Sequence, residues 1–195
     1  MHDDEPLTES VGEQARDARH DQPGVAADRL QRMWAPWRFG YIAGDERSID
    51  GCPFCVLPAR GPDRDRESLI LHRGEHGYVI FNAYPYNPGH LMVVPYEHEE
   101  HLEVLPAAAS NEIWSLGIRA VTLLKRRLHC QGVNLGINLS PAAGAGIAEH
   151  LHLHAVPRWI GDTNFISVIG AARVLPRALE EMYDELVEGW SDTAP

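Results

Sequence analysis

The stretch Glu149-His150-Leu151-His152-Leu153-His154-Ala155-Val156-Pro157-Arg158-Trp159 alternates imidazole and apolar side chains from His150 to His154. A period of two is the mark of a β-strand with one face turned to a core. His150, His152 and His154 then share one face, and Leu151, Leu153 and Ala155 share the other. A His-x-His pair often binds a metal. At ~3.3 Å of rise per residue, however, the outer two histidines of such a strand lie ~13 Å apart, too far for one tetrahedral ion to gather all three. The three must divide the work, and their face reads as a chemical site.

Just before the histidines lies the small-residue run Ala142-Ala143-Gly144-Ala145-Gly146-Ile147-Ala148 within a loop from Ser140. With no large side chains in the way, the backbone N–H groups of such a loop can turn toward an anion. Taken alone the run reads equally well as an ordinary connection; beside three histidines it reads as a phosphate cradle around Gly144, Gly146 and Ile147. Further upstream, Gly132 to Leu139 reads as a strand. Ser110 to His129 carries apolar residues at Ile113, Leu116, Gly117, Ala120, Leu123, Leu124 and Leu128, the spacing of an amphipathic helix with Ser110 as N-cap.

Three more extended stretches precede that helix, Leu69 to His72, Tyr78 to Phe81 and His90 to Pro95, the last entered through the turn Asn87-Pro88-Gly89. Arg60 to Glu67 reads as a charged loop, and Pro176 to Trp190 as a closing helix. The expected class is α+β: an antiparallel sheet of about five strands with a long helix packed on it.

A chain of 195 residues with 44% hydrophobic side chains supports one core, expected over residues 31–192. Residues 1–30 set Asp3, Asp4, Glu5, Glu9, Glu13, Asp17, Asp21 and Asp28 against Arg16, Arg19 and Arg29, and bury too little to offset ordering entropy, so a disordered acidic tail is expected. Order is expected from Met33-Trp34-Ala35-Pro36-Trp37-Arg38, with the tryptophans as core anchors. No apolar run approaches the ~18 to 20 residues that span a bilayer, so the expectation is a cytoplasmic protein without a membrane partner. A net charge of -11 argues against nucleic acid as a partner, because backbone binding rests on lysine and arginine. A small anion held by backbone N–H groups and imidazoles remains compatible with it.

Cys52-Pro53-Phe54-Cys55 has the spacing at which two thiolates grip one zinc ion, with two histidines completing a tetrahedron. A redox dithiol has the same spacing but calls for a strand leading into a helix with the pair at its start, and nothing in the sequence suggests that context. Cys130 carries no role that the sequence names.

His-Leu-His-Leu-His-Ala-Val resembles the signature of the histidine-triad family, His-φ-His-φ-His-φ-φ with φ apolar. The resemblance runs through Phe81-Asn82-Ala83-Tyr84-Pro85, Pro88-Gly89-His90-Leu91-Met92-Val93-Val94-Pro95, Asn138 and Pro157-Arg158. The flanks, from Trp34 and to Phe165, look like a bacterial branch that acts on dinucleoside polyphosphates. The resemblance implies a homodimer, a nucleotide substrate and a nucleotidyl-histidine formed on His152, the triad's middle member. Imidazole suits that task, being neutral near pH 7, nucleophilic and a good leaving group once protonated on its other nitrogen. A hydrogen bond from the far ring nitrogen to a carbonyl near His150 is expected to set the tautomer, with His154 beside the phosphate and leaving group.

The resemblance also implies that Asn82 holds the ribose, that Asn138 contacts the phosphate region, and that structural zinc is held by Cys52, Cys55, His98 and His150, with His101 as the substitute. Asn82 also fits a turn-stabilising role, and Trp159 suits pocket lining and packing equally. Mg²⁺ would accompany a polyphosphate substrate. Many similar proteins carry Ala-Gly-Gln-Ser in the glycine loop; this chain has neither that glutamine nor that serine, which moves the expectation for the second acceptor from water toward inorganic phosphate. A nucleoside phosphoramidase, a polyphosphate hydrolase and a zinc-stabilised nucleotide-binding protein without turnover are the alternatives.

Overall fold

Tyr78-Val79-Ile80-Phe81 and Leu91-Met92-Val93-Val94 are rich in β-branched and aromatic residues, with every position apolar. Such a run has no polar face to give to water, and both strands are covered on both sides. The computed structural model describes residues 49–162 and 179–193. The expected acidic tail over 1–30, Trp34, Trp37, Phe165 and the expected helix start at Pro176 lie outside these residues.

The described elements run α1 (Pro53–Ala59), a 3₁₀ turn (Pro62–Arg64), α2 (Asp65–Ser68), β1 (Ile70–Arg73), β2 (Gly77–Phe81), β3 (Leu91–Pro95), α3 (Ala107–Leu128), β4 (Gly132–Ile137), a second 3₁₀ turn (Pro141–Ala143), β5 (Leu153–Arg158), α4 (Leu179–Trp190) and a last 3₁₀ turn (Ser191–Thr193). The strands form one five-stranded sheet of order β1-β2-β3-β5-β4. Every pairing is antiparallel, as expected. The last strand in sequence is inserted between β3 and β4, so its backbone is paired on both sides.

The sheet has two unlike faces. Val79, Phe81, Leu91, Val93, Leu153 and Ala155 turn toward α3 and α4, where they meet Ile113, Leu116, Ala120, Leu123, Leu124, Met182 and Leu186. Each fully buried leucine there stabilises the fold by ~1.5 to 3 kcal/mol. Tyr78, Ile80, Met92 and Val94 face the opposite way and pack with Ile70 and with Phe54 of α1. His154 pairs across the ladder with Met92, so it lies on this second face, away from the long helix.

Several expected boundaries move. The long helix starts at Ala107 with Pro106 as its N-cap, and Ser110 lies inside it, its N–H bonded to the Pro106 carbonyl at 2.9 Å. Leu105 and Ala109 bury against Leu151, which draws the extra turn into the structure. The expected loop over Arg60 to Glu67 is largely helical. Pro62 opens a 3₁₀ turn, and Arg73 reaches back from β1 to the Asp65 carboxylate at 2.7 Å and the Pro58 carbonyl at 3.0 Å. β5 begins only at Leu153, so His150 and His152 precede the ladder. Their rings nonetheless fall on the same side as His154.

No helix among the described residues is long and apolar enough to cross a membrane.

Gly77 opens β2 opposite Pro95. A Cβ there would sit 2.7 Å from the Val94 carbonyl oxygen and 2.7 Å from Ile113 Cδ1, and the backbone atom cannot yield. Gly77→Ala is therefore expected to destabilise the fold by about 1 to 3 kcal/mol, read as a lower urea midpoint at unchanged slope.

Candidate active site and metal centre

Four imidazoles line the second face, and hydrogen-bond partners of fixed polarity assign the tautomers of His90, His150, His152 and His154. A backbone carbonyl can only accept, so His152, whose Nδ1 lies 2.9 Å from the His150 carbonyl, carries its proton on Nδ1. Its Nε2 is left with a lone pair. This is the bond expected from the sequence. His150 Nε2 lies 2.9 Å from the Pro95 carbonyl and donates to it, which leaves its Nδ1 as the lone-pair nitrogen.

His154 is set through His90. The Tyr86 backbone N–H donates to His90 Nδ1 at 3.1 Å. Asn82 Oδ1 accepts from the Tyr84 N–H at 2.8 Å, so the other end of that amide is the NH₂ that donates to the same His90 Nδ1 at 3.2 Å. His90 must then hold its proton on Nε2 and give it to His154 Nδ1 at 2.9 Å. His154 is thereby a neutral imidazole with its proton on Nε2. That nitrogen is buried and has no hydrogen-bond partner among the described residues, so it is a donor left unused by the fold. The His152 and His154 rings stand edge to face with centroids 4.7 Å apart, which puts a ring with a free Nε2 lone pair beside a ring with an Nε2 donor.

Burial keeps these groups uncharged. Desolvation, with help from the neighbouring imidazoles, pushes His90 down to about 3 and His154 down to about 4. It also lowers His152, against the opposing effect of the His150 carbonyl.

The metal-site candidates converge fully. Cys52, Cys55, His98 and His150 offer ligand atoms that all lie within 4.8 Å of one another. His150 Nδ1 is 3.2 Å from His98 Nδ1 and 3.4 Å from Cys52 Sγ, and His98 Nδ1 is 3.3 Å from Cys55 Sγ. A tetrahedral ion with bonds of ~2.05 Å to nitrogen and ~2.3 Å to sulfur has edges of ~3.3 Å and ~3.6 Å, so the donor set fits. Burial, then the charge of Cys52, push the Cys55 thiol up, so two thiolates here need a cation between them. His101, the substitute, is exposed beside Glu100 and not in the cluster.

One premise of the sequence reading is corrected: the cysteine pair does open a helix, with Cys52 as the N-cap of α1. What supports a metal over a redox dithiol is the pair of histidines, from sites 46 and 98 residues away by number from Cys52, whose Nδ1 atoms lie with both sulfurs within 4.8 Å of one another.

Among the remaining candidates, Asn82 is held against His90 as described. Asn138 is half-buried one residue beyond β4. Because Ile137 pairs with Leu153, the continued register puts Asn138 opposite His152. Gly144 (φ +91°) and Gly146 are exposed, and a Cβ on either would meet nothing within 4 Å. Ile147 packs on the Phe54 cluster. Trp159 packs against the helix-side core and lines a separate cavity with Asn87, Leu128 and Met182.

Sequence reasoning did not single out His90 or Phe54. Strand parity offers a signal for the first, since His90 lies two residues before Met92, which opposes His154.

Stability should depend on pH through His90 and His154. Their folded values lie below the ordinary ~6.5, so between ~6.5 and the folded values the unfolded chain binds more protons. The contribution is fully present above ~6.5 and is lost as pH falls, by up to about 1.4 kcal/mol per pH unit for each histidine. Urea unfolding at pH 7, 6 and 5 is expected to show a falling free energy; a flat profile would mean that the two imidazoles titrate in the folded chain as they do in the unfolded one.

A family model for the HIT domain matches residues 64–159. The chain is 40% identical over 171 residues to the AP-4-A phosphorylase of Mycobacterium tuberculosis, covering 84% of this chain and 86% of that protein. It is 26% identical over 132 residues to the bis(5'-adenosyl)-triphosphatase of Dictyostelium discoideum, covering 66% of this chain and 87% of that one. Among solved structures, a Zn-bound histidine triad family protein from Mycobacterium smegmatis superposes with a TM-score of 0.59 at 27% identity, over 73% of this chain and 94% of that one. With the triad, its fourth histidine and the five-stranded sheet in place, the chain belongs to the histidine-triad family.

Proposed function

We propose that this protein is a dinucleoside polyphosphate phosphorylase that works through a covalent nucleotidyl-histidine on His152. The observation that carries this is the tautomer of His152: Nδ1–H is committed to the His150 carbonyl, so the Nε2 lone pair is available for attack. The similarity to the M. tuberculosis AP-4-A phosphorylase supports the substrate class and the acceptor.

In the first step, Nε2 of His152 attacks an α-phosphorus and the P–O bond to the bridging oxygen breaks. The leaving nucleotide departs with the electron pair as a stable anion. The His154 Nε2–H donates to an oxygen of the transferring group, where negative charge accumulates, in a water-poor setting that strengthens it. In the second step an oxygen of inorganic phosphate attacks the same phosphorus, the P–N bond breaks, and His152 recovers its lone pair. The glycine loop offers backbone N–H groups and Asn82 and Asn138 offer amides for holding the nucleotide.

Cys52, Cys55, His98 and His150 would hold zinc, whose part is structural: four protein ligands leave no open position. That ion would pin the knuckle to the segment carrying His152. Reduced thiolates suit the cytoplasm. A second copy of the chain would dock on the edge strand β4 and the adjoining face of α3, where Trp114 and Ile118 are 42% and 63% exposed.

Product analysis with diadenosine tetraphosphate tests this directly. ATP plus ADP in the presence of phosphate supports phosphorolysis, ATP plus AMP in its absence points to hydrolysis, and faster turnover of a P–N substrate favours a phosphoramidase. His152→Ala is expected to lose activity by on the order of 10³-fold or more; full activity in that variant would overturn the route through His152, and only a wild-type chain without turnover would leave the non-catalytic nucleotide-binding reading. His154→Ala, which deletes one donor, is expected to lower kcat by about 10² to 10³-fold. Metal analysis should find one zinc per chain, and its removal by a chelator should lower Tm. In sedimentation, Trp114→Glu/Ile118→Glu is expected to shift a dimer to monomer.

A further inference from the structure

We propose that Phe54 is a positioning residue for the nucleophile: its ring, carried on the cysteine knuckle, holds the His152 imidazole in the orientation that turns Nε2 toward the substrate. This rests on the nucleotidyl-histidine reading above and adds to it a part for the knuckle in the chemical step.

His152 lies where the sheet cannot hold it. The ladders to β3 and β4 both begin at Leu153, opposite Val93 and Ile137. The nearest backbone bond in the lead-in, from the Leu151 N–H to the Glu99 carbonyl at 2.7 Å, belongs to the preceding residue. One hydrogen bond from Nδ1 fixes one corner of the imidazole and leaves its plane free to tilt. Packing supplies the remaining restraint: the Phe54 ring lies 5.0 Å from the His152 ring at 45°, and the His154 ring closes the other contact at 4.7 Å and 74°.

Phe54 is itself well held. It is 4% exposed, packed with Ile70, Tyr78, Ile80, Met92 and Val94. Its carbonyl accepts the buried Tyr78 hydroxyl at 2.7 Å, and it stands between the two cysteines of the metal cluster, with its ring also 5.5 Å from that of His150. The ring is therefore a rigid wall against which the nucleophile rests. Without it a void opens beside His152, and a displacement of ~1 Å at a reacting atom costs about 10²-fold in rate.

The test uses Phe54→Ala and Phe54→Leu in the full chain, with three readouts: steady-state kinetics on diadenosine tetraphosphate, zinc content, and long-range ¹H–¹⁵N spectra of the histidine rings. Expected are unchanged zinc, unchanged KM and a kcat lowered by about 10 to 100-fold in Phe54→Ala, with a smaller loss in Phe54→Leu. The His152 signals should stay those of the tautomer protonated on Nδ1, which the His150 carbonyl sets, but shift and broaden as the ring loses its single orientation. A wild-type kcat in Phe54→Leu, or a loss in Phe54→Ala that follows the loss of zinc, would overturn the proposal, as would His152 ring signals unchanged in shift and width. If Phe54→Ala does not fold, Phe54→Leu decides. If the wild-type chain does not turn over the substrate, the functional reading fails, while the ring spectra still decide the part of Phe54.

Discussion

The hydrogen bond from His152 Nδ1–H to the carbonyl of His150 is the constraint on which the site depends. A backbone carbonyl has no proton to give, so it selects one tautomer of a buried imidazole without adding charge. The same device recurs with the Pro95 carbonyl at His150, and, through a backbone N–H, at His90. Three main-chain groups thereby decide which nitrogen of each ring carries a proton and which keeps a lone pair. Neutrality follows from the same arrangement. Clustered imidazoles in a desolvated setting cannot all be charged, and burial holds His90 and His154 far below their ordinary range.

The sheet separates stability from chemistry. Its helix-side face, sealed by α3 and α4, carries most of the apolar burial. The opposite face carries a smaller apolar cluster with the histidines along its border. Placing β5 between β3 and β4 gives its backbone partners on both edges, so His154 stands on the stiffest part of the fold. His152 and His150, just before the ladder, lack that support. The Cys₂His₂ cluster makes up for it by tying α1 and the loop bearing His98 to His150, across 98 residues of chain between Cys52 and His150. The Cys₂His₂ cluster and the triad histidines are therefore neighbours by construction, with Phe54 touching the rings of His150 and His152.

The glycine loop and Asn82 show how a motif acquires a second meaning from its surroundings. Gly144 and Gly146 are exposed in the loop that leads into the histidine segment, and Gly144 takes a positive φ of +91°. Asn82 stabilises a turn through the Tyr84 N–H and at the same time helps set the tautomer of His90. The turn-stabilising role and the site role are in this way two uses of one amide.

By itself the sequence determined the α+β class, the five antiparallel strands, the long helix and the side of the sheet on which the histidines lie, because all of these follow from periodicity and local turn chemistry. It also pointed to Cys52, Cys55, His98 and His150, through a spacing and a family likeness. Tertiary structure alone decided where elements stop: the burial of Leu105 and Ala109 against Leu151 extends the long helix, and the loss of ladder partners before Leu153 shortens β5. It alone decided that the cysteine pair opens a helix, that His90 sets the proton of His154, and that Phe54 rests on the His152 ring. The physical reason is the same throughout. Side-chain periodicity is encoded in near neighbours, whereas a tautomer, a metal tetrahedron or a ring contact depends on groups that are distant in the chain and meet only when the sheet has formed.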